Sequence, residues 1–284
     1  MLDAAARIPC VLSIAGSDSG GGAGIQADLK ALAACATHGM TAITAITAQN
    51  TVGVSGVHMI PPAMIIAQVR AVSADIGVDA VKIGMLGTVA TIEAVASAVD
   101  ELPGDTPVVL DPVMVAESGA ELLEPAARAA LIELLLARAT VVTPNVPEAV
   151  ALAHAAAGGP DGGDLEAVAR ALHALGPECV VITGGHRDRA ADLFFDGRAM
   201  IEIPGERYPD GAAHGSGCTH SAALAARLAW GDEPLHAARV AKELASRAVR
   251  DGLVGVGAGG GPVNVLGIGC RRSPRAVQVT DPGS

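Results

Sequence analysis

Gly215, Ser216, Gly217 and Cys218 combine three properties that anion chemistry uses. Glycines let backbone amides crowd around an oxyanion, and the Ala/Leu-rich run from Ser221 makes this a helix start, with unpaired N–H groups and a favourable dipole end. Cys218 adds a thiol in the first turn, where a thiolate is favoured. Fixed donors of this kind stabilise a phosphoryl group in transfer. The competing reading is a helix cap holding a small, inert cysteine. Asp111 and Glu148 are carboxylates suited to Mg²⁺ beside a triphosphate, or else each caps the segment that follows it. The histidines lack H-x-x-x-H spacing, and only His186 and His214 border a glycine motif.

A second glycine cluster, Gly16 to Gly24, contains Gly22-Ala23-Gly24-Ile25-Gln26-Ala27, which satisfies the loose dinucleotide fingerprint G-x-G-x-x-A. That fingerprint requires an acid about 20 residues on to hold a ribose hydroxyl. Thr47, Gln49 and Asn50 stand there instead, which argues against a dehydrogenase. The loop also lacks G-x-x-x-x-G-K-[ST], so it is not a Walker-type phosphate loop.

These residues must be carried by an alternation of β-rich and Ala/Leu-rich runs, the pattern of a parallel sheet wrapped by helices. The pattern predicts strands at about 10–15, 40–48, 80–83, 108–111, 140–143 and 179–183. It predicts helices near 23–38, 62–74, 88–99, 125–138, 164–175, 216–230 and 234–250, and a hairpin over about 190–203. Ligands of open α/β sheets bind outside the carboxyl ends of the strands. Those ends carry the Gly16 loop, Gln49-Asn50, Lys82-Ile83-Gly84-Met85, Asp111-Pro112-Val113-Met114, Thr143-Pro144-Asn145-Val146-Pro147-Glu148 and Thr183-Gly184-Gly185-His186, so six strand ends converge on one rim. The glycine-rich segment 158–163 reads as a surface loop between helical segments. One domain over 1–269 is expected, with a disordered tail at 270–284.

Composition narrows the partners. The net charge is −11 and no Lys/Arg cluster precedes Arg271-Arg272, which disfavours nucleic acid. The aromatics are Phe194, Phe195, Tyr208 and Trp230, too few for base-stacking platforms, so a ring-shaped ligand is to be gripped by aliphatic groups. Charges interrupt every apolar run before about 18 residues, so no membrane span is expected. Five scattered cysteines without C-x-x-C and an N-terminus without an export pattern point to a reduced, cytoplasmic protein.

Taken together, the motifs resemble the hydroxymethylpyrimidine/phosphomethylpyrimidine kinases of thiamine biosynthesis, within the ribokinase-like superfamily. The resemblance runs from about Val11 to Gly267. It rests on Ile14 to Asp18, Gly24 to Lys30, Thr47 to Thr51, Lys82 to Leu86, Asp111 to Met114, Thr143 to Ala149 and His214 to Thr219. It implies a ribokinase-like three-layer α/β/α fold with a mostly parallel central sheet and little or no separate lid domain. The implied activity is ATP- and Mg²⁺-dependent phosphorylation of 4-amino-5-hydroxymethyl-2-methylpyrimidine, then of its monophosphate, by a homodimer.

By the resemblance, Gln49 is the pyrimidine-binding glutamine, Met85 and Val113 sandwich the ring, and Asp28 and Gly16 lie near the hydroxymethyl end. Asn145, Thr183 and Gly185 serve ATP, Asp111 and Glu148 the metal, and Cys218 stands where sugar kinases of the superfamily have an aspartate base. Thr183 replaces the lysine of many members, so a cationic contact to ATP phosphates is missing or replaced. Ser216 stands where threonine is usual, and Asp210 to Ala213 lacks the usual Thr/Asn-rich approach. A similar reaction on a ring-borne hydroxymethyl group, pyridoxal phosphorylation, is the nearest alternative. A catalytically silent ligand-binding relative is the alternative of another class.

Overall fold

The computed structural model describes residues 7–117, 119–157, 159–160, 162–184 and 190–269. Gly185, His186 and the 270–284 tail lie outside the described residues, as do Gly158 and Asp161 of the glycine-rich loop.

Nine strands of the described residues form one sheet: β1 (Cys10–Asp18), β2 (His38–Gln49), β3 (Val54–Met59), β4 (Ala80–Ile83), β5 (Val108–Leu110), β6 (Val141–Val142), β7 (Cys179–Ile182), β8 (Asp192–Phe195) and β9 (Met200–Ile203). Their order is β3-β2-β1-β4-β5-β6-β7-β8-β9. The six strands from β2 to β7 are parallel, while β3 at one edge and β8-β9 at the other run antiparallel to their neighbours. The order reverses between β1 and β4, the switch point at which α/β sheets open a ligand crevice.

Among the described residues eight α-helices cover the sheet: α1 (Gly24–Ala34), α2 (Pro62–Asp75), α3 (Val89–Val99), α4 (Pro125–Leu134), α5 (Val146–Ala157), α6 (Leu165–His173), α7 (Ser216–Ala229) and α8 (Pro234–Arg250). Period-2 alternation sorts the strand residues between two cores. Leu12, Ile14, Val81, Val108, Leu110 and Val142 face α2 to α6, while Val11, Ala80, Val109, Val141 and Val181 face α1, α7 and α8. The second core is lined by alanines of α7 and α8, which lets these two helices lie close to the sheet.

Two elements depart from the sequence expectation. β3 is absent from the predicted strands, because its residues are mostly exposed and show no apolar alternation. The segment 146–157 carried no bounded helix, because Pro147 and the preceding Thr-Pro read as a strand end; a proline in the first helical turn is in fact well tolerated. β1 also runs on to Asp18, with a register shift between Ala15 and Ser17, so that the first glycine loop starts later than the pattern implied.

Candidate active site

The carboxyl ends of the parallel strands and the start of α7 enclose a cavity of about 530 Å³. Its wall includes Gly16, Gln49, Met85, Val113, Asp111, Asn145, Glu148, Thr183 and the whole Gly215-Ser216-Gly217-Cys218 run. Twelve of the fourteen residues singled out from the sequence are thus brought together; Asp28 is not, and Gly185 lies outside the described residues.

At the α7 end, Gly215 has φ +85°. A Cβ there would stand 1.8 Å from the carbonyl oxygen of Gly22, so both the backbone angle and the space demand glycine. The Ser216 amide donates to Ala213 O and the Thr219 amide to Gly215 O. The amides of Gly217 and Cys218 have no acceptor among the described residues, and they point the start of α7 at the cavity as two free donors.

Cys218 is partly exposed on the cavity wall. Its thiol is pushed up to about 12, by burial first and then by the charges of Asp28 and Asp111, against the opposing charge of Lys82. This corrects the expectation that the helix start favours a thiolate: desolvation outweighs the dipole.

Asp28 corrects a second expectation. It sits on the inward face of α1, fully buried, where both carboxylate oxygens lie 2.9 Å from Lys82 Nζ and Oδ2 accepts from Ser13 Oγ at 2.6 Å. It lies behind the cavity wall because it neutralises a lysine that the fold has placed in a buried strand. Burial pushes the Asp28 carboxyl up and opposes the charge on Lys82. The pairing prevails at the lysine, whose pKa rises, and with Ser13 donating to the same carboxylate we take the pair as ionised. Lys82 also stands 4.0 Å from Asp111. It was quoted in a strand-end motif without a role; the available signal was a lone cation within an otherwise apolar strand, which requires a buried anion.

Across the cavity, Glu148 and Asn145 form a reciprocal cap at the start of α5. The Glu148 amide donates to Asn145 Oδ1 and the Asn145 amide to Glu148 Oε2, each at 2.9 Å. Burial, and then the nearby charge of Asp111, push the Glu148 carboxyl up to about 7. Asp111 accepts from Ser221 Oγ at 2.9 Å, and burial raises its pKa too. Two buried carboxylates, both pushed up by burial and one further by the charge of the other, are a donor set that a divalent cation would relieve.

At the opposite end, Gln49 accepts from Thr47 Oγ1 at 3.2 Å, while its amide NH₂ has no partner among the described residues. Gly16 brings the chain against Met85, whose sulfur would be 3.0 Å from a Cβ there. Asp18, which the sequence left inside a motif, organises the adjoining loop. Its carboxylate accepts from the amides of Gly20, Gly22 and Ala23 at 2.8 to 2.9 Å and lies 3.2 Å from His214 Nε2. Burial pushes this carboxyl up, but these hydrogen bonds outweigh it and hold the pKa below the usual carboxylate value.

A family model described as phosphomethylpyrimidine kinase matches residues 18–264. The chain belongs to this family. It is 45% identical over 256 residues to a hydroxymethylpyrimidine/phosphomethylpyrimidine kinase of Bacillus subtilis (strain 168), covering 89% of this chain and 93% of that one. Among solved structures it is similar to the pyridoxal kinase from Staphylococcus aureus in complex with AMP-PCP and pyridoxal, with a TM-score of 0.81, 34% identity and coverage of 91% and 94% of the two chains. It is also similar to a phosphomethylpyrimidine kinase from Clostridium difficile 630, with a TM-score of 0.73, 37% identity and coverage of 86% and 100%. The three-layer α/β/α architecture is therefore the ribokinase-like one.

Proposed function

We propose that this chain is an ATP-dependent kinase that phosphorylates 4-amino-5-hydroxymethyl-2-methylpyrimidine on its hydroxymethyl group, and then the monophosphate to the diphosphate, in thiamine biosynthesis. The observation that carries this reading is the two-ended cavity. A glutamine amide between aliphatic walls lies at one end, and a pair of free helix-start amides lies at the other.

Gln49 offers a donor and an acceptor to a pyrimidine edge, and Met85 and Val113 offer faces to its ring, in a cavity whose described wall contains no Phe, Tyr or Trp. The Gly217 and Cys218 amides hold the moving phosphoryl group. Asn145 and Thr183 border the space for the ATP phosphates, and Gly185 is proposed to extend it. Asp111 and Glu148 fit Mg²⁺, directly or through water; when bound, the ion neutralises charge on the phosphates. Burial pushes the Cys218 thiol up to about 12, which supports a neutral thiol rather than a base. Its part is to position, which suffices because loose phosphoryl transfer needs little base assistance. Residues 1–269 serve as one catalytic domain. No helix among the described residues is long and apolar enough to cross a membrane; the cytoplasmic reading rests on the scattered, free cysteines. A homodimer would cover the exposed Ile46 of β2 and Val57 of β3, and light scattering measures its mass.

Product analysis with the pyrimidine alcohol and ATP·Mg²⁺ tests substrate and both steps: the monophosphate forms first and the diphosphate follows. Absence of either product overturns the corresponding step. The likeness to a pyridoxal-bound kinase supports a second reading, in which the same cavity takes pyridoxal. Parallel assays decide, and a higher kcat/KM for pyridoxal would replace the pyrimidine.

A further inference from the structure

His214 is the point at which three segments of the cavity wall meet the 261–263 segment. Its Nε2 lies 3.2 Å from Asp18 Oδ2 and its Nδ1 3.3 Å from Glu117 Oε2. Asp18 carries the loop leading into α1. Glu117 belongs to the turn 115–121, where Val115 bridges Glu121 and the Ala116 amide donates to Ala120 O. That turn contributes Val115, Ala116, Glu117 and Gly119 to the cavity wall. The backbone of His214 is pinned as well, its amide donating to Gly261 O at 3.3 Å and its carbonyl accepting from the Val263 amide at 3.0 Å. The next residue is Gly215, so the imidazole is anchored one residue from the phosphate cradle. The ring lies so close to Gly22 that a Cβ there would be 2.1 Å from its Cδ2.

Both ring nitrogens face carboxylate oxygens. A neutral imidazole has one N–H and would leave its other nitrogen lone pair against an acceptor; only the imidazolium donates to both. The charged groups acting on the ring are Asp18, from β1, and Glu117, from the 115–121 turn; α7 and the 261–263 segment present none to it. Lys30 of α1 holds the far side of the Asp18 loop, through Gly21 O at 2.7 Å. The hydrogen bonds to Asp18 and Glu117 push the imidazole up to about 9, against the opposing effect of burial.

We propose that His214 is a positioning residue for the phosphoryl transfer: as an imidazolium bridging Asp18 and Glu117, it fastens the 115–121 turn and the 18–24 loop to the Gly215–Cys218 cradle. The alcohol end and the phosphate end of the cavity are thereby held in one registration. The consequence for turnover rests on the kinase reading; the bridge itself does not. When the ring loses its proton, the Glu117 link is the one released. Asp18 keeps its three amides, whereas Glu117, with a side chain 42% exposed, turns to water.

Imidazole titration by NMR and steady-state kinetics on the full chain, its Glu117→Gln variant and its His214→Gln variant test the bridge. The ring of the parent is expected to titrate well above the ordinary histidine range, and at lower pH in Glu117→Gln. That variant raises KM for the alcohol by about threefold to tenfold with a smaller change in kcat, and its alkaline loss of kcat/KM begins at lower pH. His214→Gln lowers kcat by about tenfold or more and loses the alkaline limb. A parent ring that titrates in the ordinary range, or a Glu117→Gln variant with unchanged ring titration and unchanged KM, overturns the proposal. Glu117 is at the surface, so its variant keeps the test decisive if His214→Gln does not fold. The titration needs no turnover: a parent that is inactive on the alcohol but shows the Glu117-dependent ring sinks the kinase reading and leaves the bridge standing.

Discussion

Two buried lysines among the described residues, Lys82 and Lys242, are each hydrogen-bonded to an aspartate, and the two pairs are built to different standards. Lys82 and Asp28 have no solvent exposure, both carboxylate oxygens are paired with the ammonium, and Ser13 supplies a further donor. Lys242 of α8 and Asp192 of β8 meet at 2.6 Å, and Asp192 Oδ1 also accepts from the Gly184 amide. Asp192 Oδ2 and both ring nitrogens of the neighbouring His220, however, have no hydrogen-bond partner among the described residues. Burial lowers the pKa of His220, so its ring adds no compensating charge. The first pair lies against the cavity wall, where its field acts on Cys218 and Asp111. The second fastens α8 and the end of β7 to β8. An ion pair behind an active site has to be satisfied fully, because any slack in it is transmitted to the reacting groups; an ion pair that only fastens elements tolerates loose ends.

The largest effect is expected at Lys82→Met. Leaving Asp28 buried and unpaired costs about 3–5 kcal/mol of stability, and turnover falls by about a hundredfold or more. Adding Asp28→Asn restores much of the stability, measured by denaturant unfolding, without restoring turnover. Recovery of both would make the pair a fastener like the other one. Lys242→Met is expected at the lower end of the same range, about 3 kcal/mol, with kcat changed only a few-fold. A hundredfold loss of kcat there, with stability intact, would erase the distinction.

Glu148 gives a pH-dependent effect on the Lys82 side. Its pKa is about 7 in the folded protein against an ordinary 4.5, so the folded state holds the proton more tightly. Its contribution therefore favours folding at low pH and declines as pH rises from about 4.5 to about 7, levelling off above. Denaturant midpoints across that window should show the decline in the parent and lose it in Glu148→Gln. Ser13→Ala, which removes one hydrogen bond to a buried carboxylate, is the mildest change, with a cost of about 1–2 kcal/mol measured in the same way.

The strands of the parallel sheet were legible because their burial on both faces writes apolar runs such as Val108 to Leu110, and because glycine, proline and polar residues cluster where those runs end. β3 was not, since an exposed edge strand carries no such run. The cavity wall was legible where residues follow strand ends, as with Gln49, Asp111 and Thr183. Asp28 was misplaced because sequence gives the helix but not which way its turn faces, and only the position of Lys82 decides that. Glu117 carried no local signal at all. Its interest comes from His214, 97 positions away.

The separation between His214 and Asp18 is larger still, at 196 positions. All nine strands of the described residues precede residue 204, so a chain emerging from the ribosome makes them before the residues proposed to hold phosphate are available. A nascent or C-terminally shortened chain ending before Gly215 could possess the whole sheet and still lack the cradle, because the first loop has nothing to close against. On the proposed reading, catalytic competence thus arrives late in synthesis, when the segment from His214 closes against the Asp18 loop.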